Sequence, residues 1–299
     1  MARRPRLVIQ ADDFSGAAEV GQAFAAQGFT TDIVLGGPSK AARGSMNSPD
    51  VLVLDTHTRG EAPTDATTIV TQAFADFTQG AETLFFKKID SLWRGNIAAE
   101  VSSLSALGYS VVLAGALPQL QRTVVDGKPL VGGEPLAGTN SWQAETGMPP
   151  TTISGLFEAF NGSLMHVSLA TLRSGGLAAV LGAAAAGNST GIVIIDGETE
   201  SDLQSVADAF LALHDTAGTR LALAGTGGLA EALSQSMAVG IARNAQHSAT
   251  GSLMEGRRRQ VLAAVGSASP AARQQLAGLE RNGFHAVRLD PATLKTEDP

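Results

Sequence analysis

The chain has 299 residues, 44% hydrophobic and 16% charged, with a net charge of −7. That describes a globular chain, long enough for one large domain or two ordinary ones, and excludes a disordered polymer. The acidic balance argues against a broad nucleic-acid or acidic-membrane surface. The absence of cysteine excludes disulfides, thiolate chemistry and cysteine-ligated metals.

Five histidines are scattered with no His-x-x-x-His spacing, so no transition-metal site is expected. The start Met1-Ala2-Arg3-Arg4-Pro5-Arg6 is basic, but only Leu7-Val8-Ile9 follows before Gln10 and two aspartates, too short for a signal core. No apolar run is long enough to span a bilayer. A cytoplasmic protein without nucleic-acid or membrane partners is expected.

The first strand, residues 7–10, runs into Ala11-Asp12-Asp13-Phe14-Ser15-Gly16 and a helix over 16–27. Carboxylates at a helix N-terminus stay ionised. One of Asp12 and Asp13 can accept a hydroxyl proton, and the other can bind a second hydroxyl or a magnesium-bound water. An N-cap followed by a turn acid explains the same residues without chemistry.

Strands follow at 31–35 and 51–54. The latter ends in Asp55-Thr56-His57-Thr58-Arg59-Gly60, before a helix over 64–77. The Arg59 fork suits a carboxylate or phosphate, or a surface pair with an aspartate. His57 has no obvious partner.

The strand at 83–86 ends in Lys87-Lys88-Ile89-Asp90-Ser91-Leu92-Trp93-Arg94-Gly95-Asn96 and a helix over 96–107. A turn that only reverses the chain does not need this cluster of opposite charges. Strand alternation puts at most one lysine in a pocket, and Lys88 shares a face with Asp90. Arg94 and Asn96 stand at the helix start, where backbone N–H groups also favour anions.

The strand at 110–114 leads to Gln121-Arg122-Thr123 and Gly127. Arg122 reads as a further anion clamp or as a cap on a loop carbonyl. Residues 118–150 show no periodicity; a loop that long is expected to be ordered over the substrate site, with a small hairpin around Gly132-Gly133.

Strands at 164–167, 192–195 and 221–224 then alternate with helices over 171–185, 201–214 and 229–239. Residues 244–259 read as a linker ending in Arg257-Arg258-Arg259. Beyond it lie a strand at 261–265, the turn Gly266-Ser267-Ala268-Ser269, a helix over 270–282 and a strand at 284–289. Gly225-Thr226-Gly227-Gly228 and Gly266–Ser269 let backbone N–H groups approach a phosphate, or are ordinary tight turns.

Strands alternating with helices imply βαβ units and a mainly parallel sheet flanked by helices: an α/β fold. Two domains are expected, residues 1–245 and 246–299. Four of the first five strands are followed by polar, mostly charged residues. In a parallel sheet these turns share one edge, and together they point to a small anionic polyol.

Several of these motifs resemble the four-carbon acid sugar kinases. Ala11-Asp12-Asp13-Phe14-Ser15-Gly16 is similar to that family's A-D-D-[FL]-[TS]-G, Asp55–Arg59 to its D-[ST]-x-[ST]-R, and Lys87–Asn96 to its K-K-x-D-S-T-x-R-G-N. Arg122-Thr123 with Gly127, Gly225–Ala230, and Gly266–Ser269 with Gln274 resemble its later motifs in order. The resemblance implies a substrate domain for a sugar acid such as threonate, erythronate or an oxo-tetronate, and a smaller nucleotide-binding domain for ATP with Mg2+. It implies catalysis by Asp12 or Asp13, substrate contacts from Asp55, Arg59, Lys88, Asp90, Ser91, Arg94, Asn96 and Arg122, and phosphate contacts from Gly266, Ser267 and Ser269.

Three departures stand out. Leu92 replaces the threonine of D-S-T, Gln121 replaces a glycine, and no G-G-x-T turn follows Leu289. The last predicts a partial nucleotide-binding βαβ unit, with a homo-oligomer or a separate chain as the partner that completes it. Without it, a sugar-acid-binding protein that has lost catalysis is the alternative. A phosphatase of a phosphorylated acid, with Asp12 or Asp13 as nucleophile, is a third reading.

Overall fold

The computed structural model describes residues 4–36, 49–75, 77–78, 83–142, 145, 147–186, 190–214, 220–244 and 270–288. Chain contacts divide it into two units, Met1–Ala249 and Thr250–Pro299.

The first unit is an α/β layered fold. Its eight-stranded sheet has the order β2-β3-β1-β4-β11-β5-β10-β9. The strands are β1 (Leu7–Ala11), β2 (Thr31–Leu35), β3 (Val51–Asp55), β4 (Leu84–Lys88), β5 (Ser110–Ala114), β9 (Ser163–Val167), β10 (Gly191–Ile195) and β11 (Leu221–Gly225). Every neighbouring pair is parallel. All strand ends that carried a charged motif therefore emerge on one edge. The six inner strands are buried along their whole length, while the outer β2 and β9 keep exposed residues. Burial on both faces is why the inner strands read as apolar runs without alternation.

Alternate strand residues feed two cores. Leu7 and Ile9 join Val20 and Phe24 of α1 (Phe14–Ala26), with Phe210 of α6 (Glu200–His214) and Leu233 of α7 (Gly227–Asn244). Val8, Leu52 and Phe85 face the other way, against Phe74 of α2 (Pro63–Ala75) and Val101 of α3 (Ile97–Ala106). The single helix expected over 171–185 is two, α4 (Leu169–Arg173) and α5 (Leu177–Ala186). Between them Gly175 adopts φ +80°, a conformation that ends a helix.

Within the stretch 118–150, residues 122–135 fold into a three-stranded antiparallel sheet of β6 (Arg122–Val125), β7 (Lys128–Val131) and β8 (Glu134–Pro135). Its two-residue turns are Asp126-Gly127 (φ +50° and +67°) and Gly132-Gly133 (φ +61° and +85°). Positive φ at both central residues is what a tight hairpin turn of the right twist requires. Val124 and Gly197 exchange backbone hydrogen bonds of 2.9 Å, which dock this sheet beside β10.

In the second unit, α8 (Pro270–Arg281) begins on a proline, as helices tolerate at their first position. The strand expected at 284–289 is absent over residues 284–288. Gly283 (φ +86°) instead ends α8 with a bond from Phe284 N to Leu279 O. The linker from residue 245, the strand at 261–265 and the turn Gly266–Ser269 lie outside the described residues. No described helix is long and apolar enough to cross a membrane.

Candidate functional site

The loops after β1, β3 and β4 converge through Arg59. Its Nε donates to Asp12 Oδ2 at 2.8 Å, its second nitrogen lies 2.8 Å from Asp13 Oδ2, and its third is 3.7 Å from Asp90 Oδ1. Burial alone would lower the Arg59 pKa. The hydrogen bond to Asp12 and the charges of Asp12, Asp90 and Asp13 outweigh that and hold it above its ordinary value. Arg59 is thus no surface pair with Asp55, whose carboxylate caps the His57 amide at 3.1 Å.

Asp13 is the N-cap of α1 and accepts from Gly16 N at 2.6 Å. Asp12 is almost fully buried, and its Oδ1 has no hydrogen-bond partner. The two adjacent carboxylates therefore differ: Asp13 is structurally occupied and partly open, whereas Asp12 keeps one sealed, unsatisfied oxygen.

The β4–α3 turn is built around Asp90. Its carboxylate accepts the Arg94 fork at 2.8 and 2.7 Å, and the amides of Leu92 and Arg94 at 3.1 and 3.2 Å. Burial would raise the Asp90 pKa, but the Arg94 hydrogen bonds and the charges of Arg94 and Arg59 hold it below the ordinary value. Between them Trp93 takes φ +63°, and its ring covers Gly115. Trp142 donates its indole N–H to Leu92 O at 2.7 Å, bringing the 118–150 stretch over this turn.

The adjacent lysines separate as strand alternation requires. Lys87 is fully buried and pairs with Glu100 at 3.0 Å, with Thr58 donating to the same carboxylate. Lys88 turns to the α1 side, where its Nζ lies 3.0 Å from Glu19 Oε2 and donates to Ile89 O at 3.1 Å. Asn96 donates to Thr58 O at 2.9 Å and Glu61 O at 2.8 Å, tying two loops together.

Arg122, the first residue of β6, donates to Ser91 Oγ. No carboxylate lies within ion-pair distance of it among the described residues, and burial pushes its guanidinium below its ordinary value. It is a half-buried cation with no ion pair among the described residues, although the charges of Asp90 and Glu19 reach it.

The geometry thus gathers Asp12, Asp13, Arg59, Asp90, Ser91, Arg94 and Arg122, with Lys88 alongside. Asp55 and Asn96 stand apart from that network. Gly266, Ser267 and Ser269 lie outside the described residues. Sequence reasoning missed Glu19 and Glu100. Each is the only charged residue of an otherwise apolar or small-residue helix, and that was the available signal.

A family model described as a sugar-binding N-terminal domain matches residues 7–233. D-threonate kinase of Salmonella typhimurium is 32% identical over 98% of this chain and 65% of that protein. D-threonate kinase of Cupriavidus necator is 31% identical over 96% and 67%. The chain belongs to the four-carbon acid sugar kinase family. D-erythronate kinase of Heliobacterium modesticaldum, in the same family, is 31% identical over 92% of the chain and 60% of its own length. The chain thus spans 60% to 67% of these relatives. Among solved structures, a domain of unknown function from Bordetella bronchiseptica, a domain-swapped dimer with bound citrate, is 27% identical with a TM-score of 0.67. It covers 97% of this chain and 67% of its own. A Haemophilus influenzae protein, 22% identical with a TM-score of 0.65 over 78% of this chain and 56% of its own, shares the fold.

Proposed function

We propose that this chain carries the sugar-acid site of a kinase that phosphorylates a four-carbon sugar acid of the threonate, erythronate or oxo-tetronate type. The observation that carries the reading is Arg122. Its neighbours Arg59, Arg94 and Lys88 each hold a carboxylate of the protein, while among the described residues the side chain of Arg122 holds only the Ser91 hydroxyl. A half-buried cation with no ion pair favours an anion from outside, and a guanidinium fork matches a carboxylate.

In this reading Arg122 and Ser91 bind the substrate carboxylate. The Asp90–Arg94 fork fixes the turn that presents Ser91. Arg59 holds Asp12 and Asp13 together, with one nitrogen on each carboxylate. Asp13, the partly open carboxylate of the two, takes the proton of the substrate hydroxyl as that oxygen attacks the γ-phosphorus of ATP and ADP leaves. Asp13 also holds the start of α1, and buried Asp12 fixes Arg59 beside it. Family membership supports ATP as the phosphoryl donor; Gly266, Ser267 and Ser269 remain the proposed phosphate-binding turn, with Mg2+ arriving on the nucleotide.

Calorimetry of the chain with D-threonate and D-erythronate tests the reading. Binding of at least one acid, lost in Arg122→Met, is expected. Absence of binding, or an Arg122→Met variant that binds equally well, overturns it.

A further inference from the structure

We infer that Glu19 is a substrate-recognition residue: its carboxylate, held in place by Lys88, accepts a hydroxyl of the sugar acid and discriminates hydroxylated from plain carboxylic acids. The inference rests on the proposed sugar-acid site and adds a residue to it.

Three elements meet at Glu19. It projects from the second turn of α1, and Lys88 Nζ from the end of β4 lies 3.0 Å from its Oε2. Against it stands the start of α7, where a Cβ built on Gly227 would fall 2.0 Å from Glu19 Oε1. A glycine there lets the carboxylate lie against the chain. Gly16 does the same on the other side. A Cβ there would lie 2.8 Å from Asp13 Oδ1 and 3.4 Å from Lys88 Nζ, so the N-cap carboxylate and the lysine flank one glycine. Glu19 also acts on Arg122 through its charge.

Charge balance decides what Glu19 can take. Lys88 is 6% exposed and already neutralised by Glu19, so it has no need of a second anion. Among the described residues Arg122 has no such ion pair, and a single substrate carboxylate goes there. What Glu19 offers is the remaining lone pairs of a carboxylate that is itself 47% exposed. Those lone pairs accept hydroxyl protons. Its ion pair with a sealed lysine limits its rotamers, so little ordering is needed when the substrate binds.

The test compares two four-carbon probes on the full chain: D-threonate, or D-erythronate if that binds better, and butyrate, which has the carboxylate but no hydroxyls. Glu19→Gln should weaken the sugar acid at least about tenfold, the scale of one hydrogen bond to a charged group. It should not weaken butyrate, followed by NMR titration, because that acid has no hydroxyl for Glu19 to hold. Glu19→Asp, which keeps the charge on a shorter arm, should recover part of the loss, with thermal melts confirming that both variants fold. A Glu19→Gln variant that binds butyrate and the sugar acid both more tightly would make Glu19 an internal stand-in for the substrate anion. That outcome, or unchanged sugar-acid affinity, overturns the inference while leaving the site reading intact. A wild-type chain that binds neither sugar acid overturns both.

Discussion

Lys87 Nζ lies 3.0 Å from Glu100 Oε2, and neither side chain reaches solvent. The lysine also donates to Lys88 O at 2.7 Å, and Thr58 donates to the glutamate. One buried pair therefore fixes the end of β4, the start of α3 and the loop that carries Arg59. Removing one member leaves an unpaired buried charge, which costs about 3–5 kcal/mol. Glu100→Leu alone should lose stability on that scale in urea denaturation. Lys87→Met combined with Glu100→Leu should recover most of it, because the pair repays its own desolvation poorly. Additive losses would show that the two do not act as a pair.

Asp90 makes stability depend on acid. Burial raises its pKa, but the Arg94 hydrogen bonds and the charges of Arg94 and Arg59 hold it below the ordinary 3.8. A carboxyl depressed in the folded state contributes stability that is fully present above its unfolded value. That stability is lost as pH falls through the folded one. The wild-type chain should thus lose stability below about pH 4, where unfolded aspartates begin to protonate. Asp90→Asn should be less stable at neutral pH, with a shallower acid slope. Denaturant midpoints at stepped pH measure both, and parallel curves would refute the assignment.

The parallel sheet was legible because its inner strands are short, apolar and closed by charged turns. Lys87 and Lys88 separated as alternation requires, since β4 stays regular to its last residue. What escaped was long-range pairing. The sequence left the aspartate for Arg59 open; β1 lies between β3 and β4, so Asp12, Asp13 and Asp90 come to it. Glu19 and Glu100 were hidden inside helices read for their apolar faces. Asp126-Gly127 carried a hairpin signal that the surrounding run of Gly, Pro and Thr obscured.

Gly115 has no room for a side chain. A Cβ there would stand 2.1 Å from the Trp93 ring, itself held at φ +63° in the turn that bears Ser91 and Arg94. Gly115→Ala must push the indole aside, and overpacking of this kind costs about 1–3 kcal/mol. The melting temperature should fall. The tryptophan emission should shift as well, since Trp93 is one of only two tryptophans in the chain. An unmoved emission spectrum would mean that the turn absorbs the methyl without displacing the ring.

Asp196 is the anchor of the small sheet. It is buried at the end of β10 and accepts from Asp126 N and Gly127 N at 2.9 Å, with His166 Nε2 at 2.8 Å. The two amides belong to the turn joining β6 and β7, and β6 begins with Arg122. Asp196→Ala leaves both without their acceptor, at about 1–3 kcal/mol for each that stays buried. Asp196→Asn keeps one acceptor oxygen and should cost less. Hydrogen exchange locates the effect. The Asp126 and Gly127 amides should lose protection in Asp196→Ala, while β1 and β3 amides, far along the sheet, keep theirs. Sugar-acid affinity should fall with them, because the Arg122 strand loses its support. Retained protection would assign the anchor to the Val124–Gly197 backbone pair instead.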